Sequence, residues 1–379
     1  MRRLTCARDQ FYRVVARACL KESLQQGVST AIQLRMTNSS DQSAVSLTTL
    51  GWSAFFDEQL EPGDAELVPM RIATVHRDRV TAMSELGPVR LKLSAQTNTT
   101  DFAVGDWVLV AREDRLLVRR LNRRMQLQRK AEGRRQAQLI AANVDTLFIV
   151  TSCNEDFNPA RLERYLALAN EAGAVPVIVL TKIDQTPDPA PYFKQAQALQ
   201  LGLDVVMLNA KAPDAALTLA RWCGPGQTVA LVGSSGVGKS TLLNTLSEKS
   251  SENAQPTGPI RVGDAKGRHT TTSRSLHAIA GGGWVIDTPG MRTLHVSDVS
   301  AGLNTLFAEI VVLASHCRFR DCTHVHEPGC AVQGAAADGT LDPARLDRWR
   351  KLTEENLANT PAQSGPRGNK ITRTLGKPR

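Results

Sequence analysis

Residues 233–240 read GSSGVGKS and match the phosphate-binding pattern G-x-x-x-x-G-K-[ST]. The run TVALV precedes them and TLLNTL follows, so the pattern predicts a loop between a strand and a helix. In such a loop the glycines let backbone N–H groups surround phosphate oxygens, Lys239 reaches the β and γ oxygens, and Ser240 ligates magnesium. The segment therefore predicts binding of a nucleoside triphosphate with Mg²⁺.

Two further segments have the composition of the parts that surround a magnesium-bound triphosphate. Asp287 to Gly290 reads DTPG after the run GWVI, where the Asp holds the magnesium shell and the Gly N–H can reach the γ-phosphate. Residues 267–274, GRHTTTSR, form a polar, glycine-led segment that predicts a switch loop in which Thr271 completes the magnesium shell. The threonines on either side of it remain alternatives for that role.

Two segments earlier in the chain have the residues that read a guanine base. TKID, residues 181–184, follows the apolar run VPVIVL, and Asp184 can accept from N1–H and the 2-amino group, a donor pair that adenine does not offer. The stem of Lys182 can cover the plane of the base. NAK, residues 209–211, ends the next strand-like run, where the backbone N–H groups of Ala210 and Lys211 can meet guanine O6. The nucleotide is therefore predicted to be GTP.

The motifs occur in the order base, base, phosphate, switch and magnesium turn, although a phosphate loop normally opens such a domain. A domain whose natural termini were joined and reopened elsewhere has this order and keeps its site in space, because the termini of compact domains often lie close together. The order predicts a circularly permuted GTPase domain.

The segment CRFRDCTHVHEPGC, residues 317–330, holds three of the seven cysteines. An odd total with this clustering favours a metal site in a reducing compartment over a disulfide framework. Three thiolates and one imidazole suit tetrahedral zinc, and a full set of four ligands is typical of a structural site. The predicted ligands of one zinc ion are Cys317, Cys322, His324 and Cys330, while His326 is left outside the set.

The apolar runs around these motifs predict the elements that position them. From about residue 140, strand-like runs alternate with helical patterns, and the strand-like runs end at polar motifs. This alternation predicts a mainly parallel sheet with the ligand at the carboxyl ends of its strands. NPARLERYLALANEAG, with Pro159 in a first helical turn, predicts a covering helix, and DPARL, with Asp342 as cap and Pro343 after it, predicts a second helix near the C terminus.

Five short β-type runs between residues 65 and 121 predict a small barrel such as an OB-fold. Residues 112–135 hold nine Arg and one Lys against three acidic residues, which favours phosphate contacts over a solvated linker. The barrel region has two aromatic residues, Phe102 and Trp107, and Trp107 is expected in the core. Binding there is therefore expected to rest on charge and shape more than on base stacking.

Composition sets the broader limits. The 379 residues predict two or three domains, and a formal net charge of +9 favours a polyanionic partner. No run approaches the roughly 20 apolar residues that span a bilayer, so no membrane association is expected. The Arg-rich first 40 residues favour a basic extension over a transit peptide, which leads to the expectation of a cytoplasmic location. The last residues, 364–379, are expected to form a disordered basic tail.

In combination these features resemble a known family. The permuted order, the barrel before it, QLIAANVDTLFIV at the domain entry, GRHTTT in the switch and CRFRDCTHVHEPGC behind it are similar to the circularly permuted, ribosome small-subunit-dependent GTPases of bacteria. The resemblance runs from about residue 65 to residue 360. It implies a GTPase that binds the small ribosomal subunit and its rRNA, assists late maturation of that subunit and is stimulated by it.

The resemblance also implies a catalytic residue. Met291 follows DTPG where Ras-like enzymes carry a water-orienting glutamine, and an apolar side chain cannot position water. By resemblance His269 takes that role, with a contact to RNA or protein as the open alternative. Two positions depart from common GTPase motifs: Thr181 stands where many have Asn, which predicts looser base affinity, and Asn209 stands where many have Ser.

The predicted fold class is a multidomain α/β protein, expected to act as a monomer. Its expected parts are an N-terminal extension of unassigned role (1–64), an OB-fold-like RNA-binding barrel (65–125), a circularly permuted P-loop GTPase domain (126–300) and a zinc-binding helical domain with a basic tail (301–379). The predicted nucleotide-binding residues are Thr181, Lys182, Asp184, Asn209, Ala210, Lys211, Gly233, Ser234, Ser235, Gly236, Val237, Gly238, Lys239, Ser240, Thr241, Asp287 and Gly290. Ser240 and Thr271 are the predicted magnesium ligands.

Two other functions fit parts of the sequence. One is an RNA-binding or RNA-chaperone module in which GTP is mainly an affinity switch, and multiple-turnover hydrolysis with and without small subunits separates it from a GTPase. The other is a P-loop kinase of a small metabolite. TKID and NAK favour a guanine-specific protein over the kinase, and a comparison of GTP binding with ATP binding distinguishes the two.

Overall fold

The computed structural model describes residues 45–130, 137–247, 274–288 and 297–360. The predicted extension up to residue 44, most of the predicted switch loop and the basic tail lie outside the described residues. Among the described residues no helix is long and apolar enough to cross a membrane.

Most of the strands join one mixed sheet, with a separate hairpin of two. The strands are β1 (Leu67–Val75), β2 (Val80–Ser84), β3 (Gly87–Leu91), β4 (Trp107–Ala111), β5 (Leu117–Arg120), β6 (Gln126–Lys130), β7 (Ala137–Ala142), β8 (Thr146–Ser152), β9 (Val175–Thr181), β10 (Asp204–Met207), β11 (Thr228–Val232), β12 (Ser275–Ala278) and β13 (Trp284–Asp287). β6 and β7 form the hairpin. The large sheet has the order β10-β9-β8-β11-β13-β12-β1-β2-β3, with β4 on β1 and β5 on β4.

Five neighbouring strands, β10, β9, β8, β11 and β13, pair in parallel. β8 and β11 are buried along their whole length, as expected for strands covered on both faces. Since parallel strands present their carboxyl ends at one edge, the segments after β8, β9, β11 and β13 lie on the same side of the sheet. The part of the sheet formed by β8 to β13 is therefore mainly parallel, as predicted for the GTPase domain, although the sheet as a whole is mixed.

The helices are α1 (Ala54–Asp57), α2 (Pro159–Ala172), α3 (Ala190–Gln197), α4 (Ala215–Leu219), α5 (Lys239–Leu246), α6 (Ser300–Leu306), α7 (Ala308–Ala314), α8 (Ala331–Ala337) and α9 (Pro343–Asn359). α2 begins after Asn158, whose side chain accepts from the N–H of Arg161, and it ends at Gly173 with φ 77°. α9 begins after Asp342, whose carboxylate accepts from the N–H of Ala344. Both sequence-predicted helix starts are confirmed.

The first five strands, here called the barrel, enclose a small core. β1 pairs with β2 and β4, β2 with β3, and β4 with β5, and a bridge between Lys92 and Leu116 links the end of β3 to the start of β5. Trp107 is 1% exposed, which confirms that it belongs to a core. β1 also pairs antiparallel with β12 through Thr74 and Ser275, so these strands continue the parallel sheet without a break.

Residues 45–60, here called the strap, cross from the barrel to the parallel sheet. The carbonyl of Thr49 accepts from the indole N–H of Trp284 at 2.7 Å, and the carbonyl of Leu50 accepts from the guanidinium of Arg71 at 2.6 Å. Trp52 packs edge-on against Trp107, with ring centroids 4.8 Å apart. Residues 1–64 had no predicted role, and the structure shows that the strap belongs to the folded core.

Two of the C-terminal helices, α6 and α9, pack on α2. A Cβ on Gly302, in α6, would lie 2.1 Å from the carbonyl oxygen of Ala167, so only glycine permits this approach of the two helices. From α9, Arg345 and Arg348 contact the fully buried carboxylate of Glu163 at 3.1 Å and 2.9 Å. Leu346 and Leu352 of the same helix are buried. The C-terminal helices are therefore attached to the parallel sheet through α2.

Candidate functional site

The sequence-predicted phosphate loop lies between the end of β11 and the start of α5. A Cβ on Gly233, which has φ 140°, would lie 2.1 Å from the carbonyl oxygen of Val150 in β8, so this position requires glycine. Gly236 and Gly238 also have positive φ, at 80° and 98°. The ammonium of Lys239 donates to the carbonyls of Gly233, at 2.9 Å, and Ser234. These contacts place a cation inside a curved run of backbone amides, an arrangement suited to phosphate.

The TKID segment lies against this loop although it precedes the loop by about fifty residues in the chain. Thr181 ends β9 and is fully buried. Its hydroxyl lies 2.6 Å from the carbonyl oxygen of Val237 and 3.1 Å from that of Thr151. Because a hydroxyl has one proton, the shorter contact is the main hydrogen bond. Thr181 therefore connects the predicted base-reading strand to the predicted phosphate loop. This structural role is separate from the looser base affinity that Thr181 was predicted to cause.

The predicted base contacts follow Thr181 directly. Lys182 has φ 57°, and this left-handed residue turns the chain out of the strand. Asp184 lies in the 3-10 turn Ile183–Gln185 and is exposed. An exposed carboxylate at the carboxyl edge of the sheet is available to a ligand.

The NAK segment is held against α5, the helix that follows the predicted phosphate loop. The carbonyl of Ala210 accepts from the hydroxyl of Thr245 at 2.7 Å. The side-chain oxygen of Asn209 accepts from the N–H of Lys211 at 3.0 Å, which fixes the turn. The structure thus brings the TKID segment to the predicted phosphate loop and the NAK segment to the helix that follows it, in the arrangement that circular permutation predicts.

Asp287 ends β13 beside the phosphate-loop strand, paired in register with Leu231. It is 8% exposed, and the hydroxyl of the following Thr288 donates to the carbonyl of Leu231. Ser240 lies in the first turn of α5, which begins at the phosphate loop. The hydroxyl of Ser240 and the carboxylate of Asp287 are both oxygen donors, the kind of ligand that Mg²⁺ prefers. His269, Thr271, Gly290 and Met291 lie outside the described residues.

Sequence analysis assigned no role to Arg161, in the first turn of α2. Its guanidinium donates to the hydroxyl of Ser234 in the phosphate loop. The only available signal was its position, a cation in the first turn of a helix that follows a predicted strand of the site.

The four predicted zinc ligands converge. Their ligand atoms all lie within 4.8 Å of one another. Nδ1 of His324 is 3.5 Å from Sγ of Cys317 and from Sγ of Cys330, and the two sulfurs are 3.8 Å apart. Zn–S bonds of about 2.3 Å in a tetrahedron separate two sulfurs by roughly 3.8 Å, so the cluster has the spacing of a Cys₃His zinc site.

The loop that carries these ligands is organised by Glu327. Its carboxylate accepts from the N–H groups of Thr323, Val325 and His326, at 2.8, 3.1 and 3.2 Å. The hydrogen bonds from Thr323 are the main reason why the pKa of Glu327 lies well below its usual value. His324, which is bracketed by these residues, has φ 60° and packs edge-on against Trp349 of α9. The metal cluster is thereby joined to the helix that docks on α2.

Arginines of the predicted phosphate-contacting segment 112–135 also have partners inside the protein. Arg123 pairs with the fully buried Asp106 at 2.6 Å, and Arg124 pairs with Asp145. Arg119 pairs with Asp64, and this hydrogen bond holds the pKa of Asp64 below its usual value. These three arginines stabilise the barrel and its connections, which composition alone did not reveal. Arg112 and Arg115, in the turn between β4 and β5, are exposed.

Comparisons with known proteins agree with this geometry. A family model described as RsgA GTPase matches residues 120–297. A protein of Mesorhizobium japonicum described as small ribosomal subunit biogenesis GTPase RsgA is 65% identical over 337 residues, which are 89% of this chain and 97% of that protein. A Vibrio vulnificus protein described as small ribosomal subunit biogenesis GTPase RsgA 2 is 50% identical over 315 residues, 83% of this chain and 88% of that protein.

Two solved structures have a similar fold. YjeQ from Thermotoga maritima matches with a TM-score of 0.57 and 25% identity, over 77% of this chain and 99% of that chain. YloQ, described as a circularly permuted GTPase, matches with a TM-score of 0.54 and 24% identity, over 80% of this chain and 99% of that chain. The likeness extends well beyond the parallel sheet, because both matches cover more than three quarters of this chain.

Proposed function

The chain belongs to the RsgA GTPase family, and from that premise we propose that it is a GTP-hydrolysing switch that binds the small ribosomal subunit and assists its late maturation. The observation that carries the proposal is the contact of Thr181 with Val237 and of Ala210 with Thr245. These hydrogen bonds hold two guanine-reading segments against a phosphate loop and the helix after it, both of which follow those segments in the chain.

We assign the nucleotide contacts by position. Lys239 and the amides of the phosphate loop bind the β and γ phosphates, and Asp184 accepts from the guanine base. The backbone N–H groups after Asn209 meet guanine O6. Ser240 and Thr271 would hold Mg²⁺ directly and Asp287 through its shell, and the ion would neutralise charge on the phosphate oxygens.

Hydrolysis is proposed to be slow in the isolated protein and faster on the subunit. His269 is the proposed water-orienting residue, since Met291 cannot orient water. Contact with the subunit would position His269 beside the γ-phosphate. An arginine finger accelerates other GTPases by roughly 10³ to 10⁵, and we expect stimulation of that order when the subunit positions His269.

The flanking parts are proposed to hold rRNA. The strand pairing of β1 to β5, with the bridge between Lys92 and Leu116, supports an OB-fold-like barrel within the proposed limits 65–125. The zinc-binding helical domain, 301–379, follows the permuted GTPase domain, 126–300, and its zinc ion is structural. We propose that the protein acts as a cytoplasmic monomer without membrane contact.

Steady-state turnover of GTP, measured with and without purified small subunits, tests the function. We expect multiple turnovers that the subunit accelerates, and His269→Ala should keep GTP and subunit binding while it loses most of the stimulated rate. Stoichiometric GTP binding without turnover in either condition would favour the RNA-binding module in which GTP is an affinity switch. Full stimulated turnover in His269→Ala would instead remove His269 from the catalytic role.

Guanine specificity has its own test at Asp184. Asp184→Asn removes a charge-assisted acceptor and should weaken GTP binding by roughly 1.5–3 kcal/mol. Asp188→Asn is the matched control, because it removes the same charge four residues away. The carboxylate of Asp188 accepts from the N–H of Ala190 and has no predicted contact with the base. Equal GTP affinity in the two variants would contradict the base-reading assignment, and equal affinity of the unmodified protein for GTP and ATP would contradict the GTPase.

A further inference from the structure

The contact between Arg161 and Ser234 connects α2 to the phosphate loop. β8 and β11 are adjacent and parallel, with Ile149 opposite Val232, so the segments that follow them lie side by side. Ser234 is the second residue of the loop after β11, and Arg161 is in the first turn of the helix after β8. The guanidinium of Arg161 donates to the Ser234 hydroxyl across this gap.

Arg161 is held from its own side of the contact. Its backbone N–H donates to the side chain of Asn158 at 3.0 Å, so the first turn of α2 is capped. The next turn is fixed more strongly, because Glu163 and Tyr165 are buried and Glu163 is paired with arginines of α9. Arg161 therefore contacts the phosphate loop from a helix whose first two turns are held in place.

Ser234 is contacted by two cations. Its hydroxyl accepts from Arg161, and its carbonyl accepts from the ammonium of Lys239. The loop that contains Ser234 has three glycines with positive φ. Glycine loses more backbone entropy than other residues when it becomes ordered, so ordering this loop costs free energy. A side chain that pins the loop from outside reduces the ordering that phosphate binding requires.

We propose that Arg161 is a positioning residue of the phosphate loop, which holds Ser234 so that the loop amides are arranged for phosphate before the nucleotide binds. This inference rests on the proposed function, because it assumes that the loop binds a guanine nucleotide. Arg161 acts through Ser234 and not through the reacting atoms. Its effect therefore falls on nucleotide affinity and KM, and applies to GDP and GTP alike, since the loop surrounds phosphates that both nucleotides have.

The test compares Arg161→Ala with a control on the same helix. Arg164 lies one turn further on, and its guanidinium pairs with Glu355 of α9 at 2.7 Å instead of contacting the loop. Dissociation constants for GDP and for a non-hydrolysable GTP analogue are measured by fluorescence titration, and KM and kcat with saturating small subunits. We expect Arg161→Ala to raise both dissociation constants by about threefold to tenfold, the range of one lost hydrogen bond, and Arg164→Ala to change neither.

Ser234→Ala and the double variant determine whether the contact itself is responsible. Ser234→Ala should weaken binding as Arg161→Ala does, and the double variant should be no weaker than either single variant, because both remove the same hydrogen bond. Arg161→Lys keeps a cationic donor and should restore part of the affinity. It also tests the proposal if Arg161→Ala does not fold.

Three results would overturn the proposal. They are unchanged affinity in folded Arg161→Ala and Arg161→Lys, equal loss in Arg164→Ala, or full additivity of the Arg161 and Ser234 substitutions. Failure of the proposed function is visible separately, because the unmodified protein would then show no subunit-stimulated turnover or no preference for GTP over ATP.

Discussion

The barrel and the C-terminal helices both join the parallel sheet through a buried charged residue, but they give that residue different partners. Arg71, 1% exposed, donates to neutral oxygens: the carbonyls of Leu50 and Asn143 and the hydroxyl of Thr228, at 2.6, 3.2 and 2.8 Å. Glu163, 0% exposed, meets two guanidinium groups instead. The barrel junction also has backbone pairing between β1 and β12, and the C-terminal junction is made by side chains and helix packing.

This difference predicts different behaviour. A shared sheet couples the barrel to the parallel strands, so the two should open together. An ion-paired helical junction can open alone, because its partners are side chains that water can solvate. The C-terminal helices are therefore the part that can change position while the nucleotide site stays folded. Four changes, from the largest expected effect to the smallest, test this comparison.

Loss of zinc should have the largest effect, confined to the metal loop. Cys322→Ser removes one of four ligands, and structural zinc contributes about 10 kcal/mol to folding in small zinc peptides. We expect metal release and fast hydrogen exchange in residues 317–337, whereas Gly302 of α6 should keep its contact with α2. His326→Ala, outside the cluster, should retain one equivalent of zinc by metal analysis.

Nucleotide affinity in Cys322→Ser should stay within about twofold of the unmodified protein, because α6 and α9 contact α2 through residues outside the metal loop. Absence of zinc from the unmodified protein would contradict the metal assignment. Loss of GTP binding together with the metal would show that the C-terminal junction does not open independently.

Glu163→Ala should open the C-terminal junction. It leaves the buried Arg345 without this carboxylate, and breaking a buried ion pair costs about 3–5 kcal/mol. Residues 297–360 should lose protection in hydrogen exchange while β8, β9 and β11 keep theirs. Glu163→Gln, which keeps the shape and a hydrogen-bonding oxygen, should lose less. Equal loss of protection in the parallel strands would contradict a separable junction.

Arg71→Met should weaken the barrel junction by about 2–3 kcal/mol. It leaves the carbonyls of Leu50 and Asn143 without this donor, and an unsatisfied buried acceptor costs about 1–3 kcal/mol. The loss should be smaller than in Glu163→Ala, because no counter-charge is left behind. Hydrogen exchange should rise together in β1, β12 and β13. An increase confined to β1 to β5 would show that the barrel opens alone, contrary to the comparison.

Sequence reasoning found the sheet and the loops because both are local. VPVIVLTKID contains the strand and the residues that end it, and GSSGVGKS lies between β11 and α5 as its motif predicts. The junctions could not be found in this way. Arg345 lies 182 residues from Glu163 and Thr228 lies 157 residues from Arg71, and no motif spacing connects such pairs.

The candidate site was predicted only in part, because sequence motifs show local features but not contacts between distant residues. Motif order was enough to bring the base segments to the phosphate loop, but the hydroxyl contact from Thr181 to Val237 depends on the packing of β9 against the loop. Arg161 was missed because its partner Ser234 is 73 residues away. His269, Thr271 and Gly290 lie outside the described residues and stay predictions.

The smallest expected effect is a pH dependence of the free energy of unfolding that comes from the C-terminal junction and not from the barrel junction. Burial raises the pKa of Glu163 above its ordinary value, against the opposing effect of Arg348, Arg345 and Arg164. Between the ordinary and the raised pKa the folded state binds more protons than the unfolded state, so the free energy of unfolding falls as pH rises. Burial lowers the pKa of Arg71 only to about 10, so Arg71 stays charged over that interval and contributes no slope.

The measurement is the unfolding free energy of the unmodified protein minus that of Glu163→Gln, followed by urea titration from pH 4 to pH 7. This difference isolates Glu163 from every other titrating group, because the amide does not ionise. It should decrease with rising pH, by about 1.4 kcal/mol for each unit by which the pKa is raised. The same subtraction with Arg71→Met should be flat. A difference that increases with pH would mean that the arginines lower the pKa of Glu163 by more than burial raises it, and the C-terminal junction would then be strongest at neutral pH.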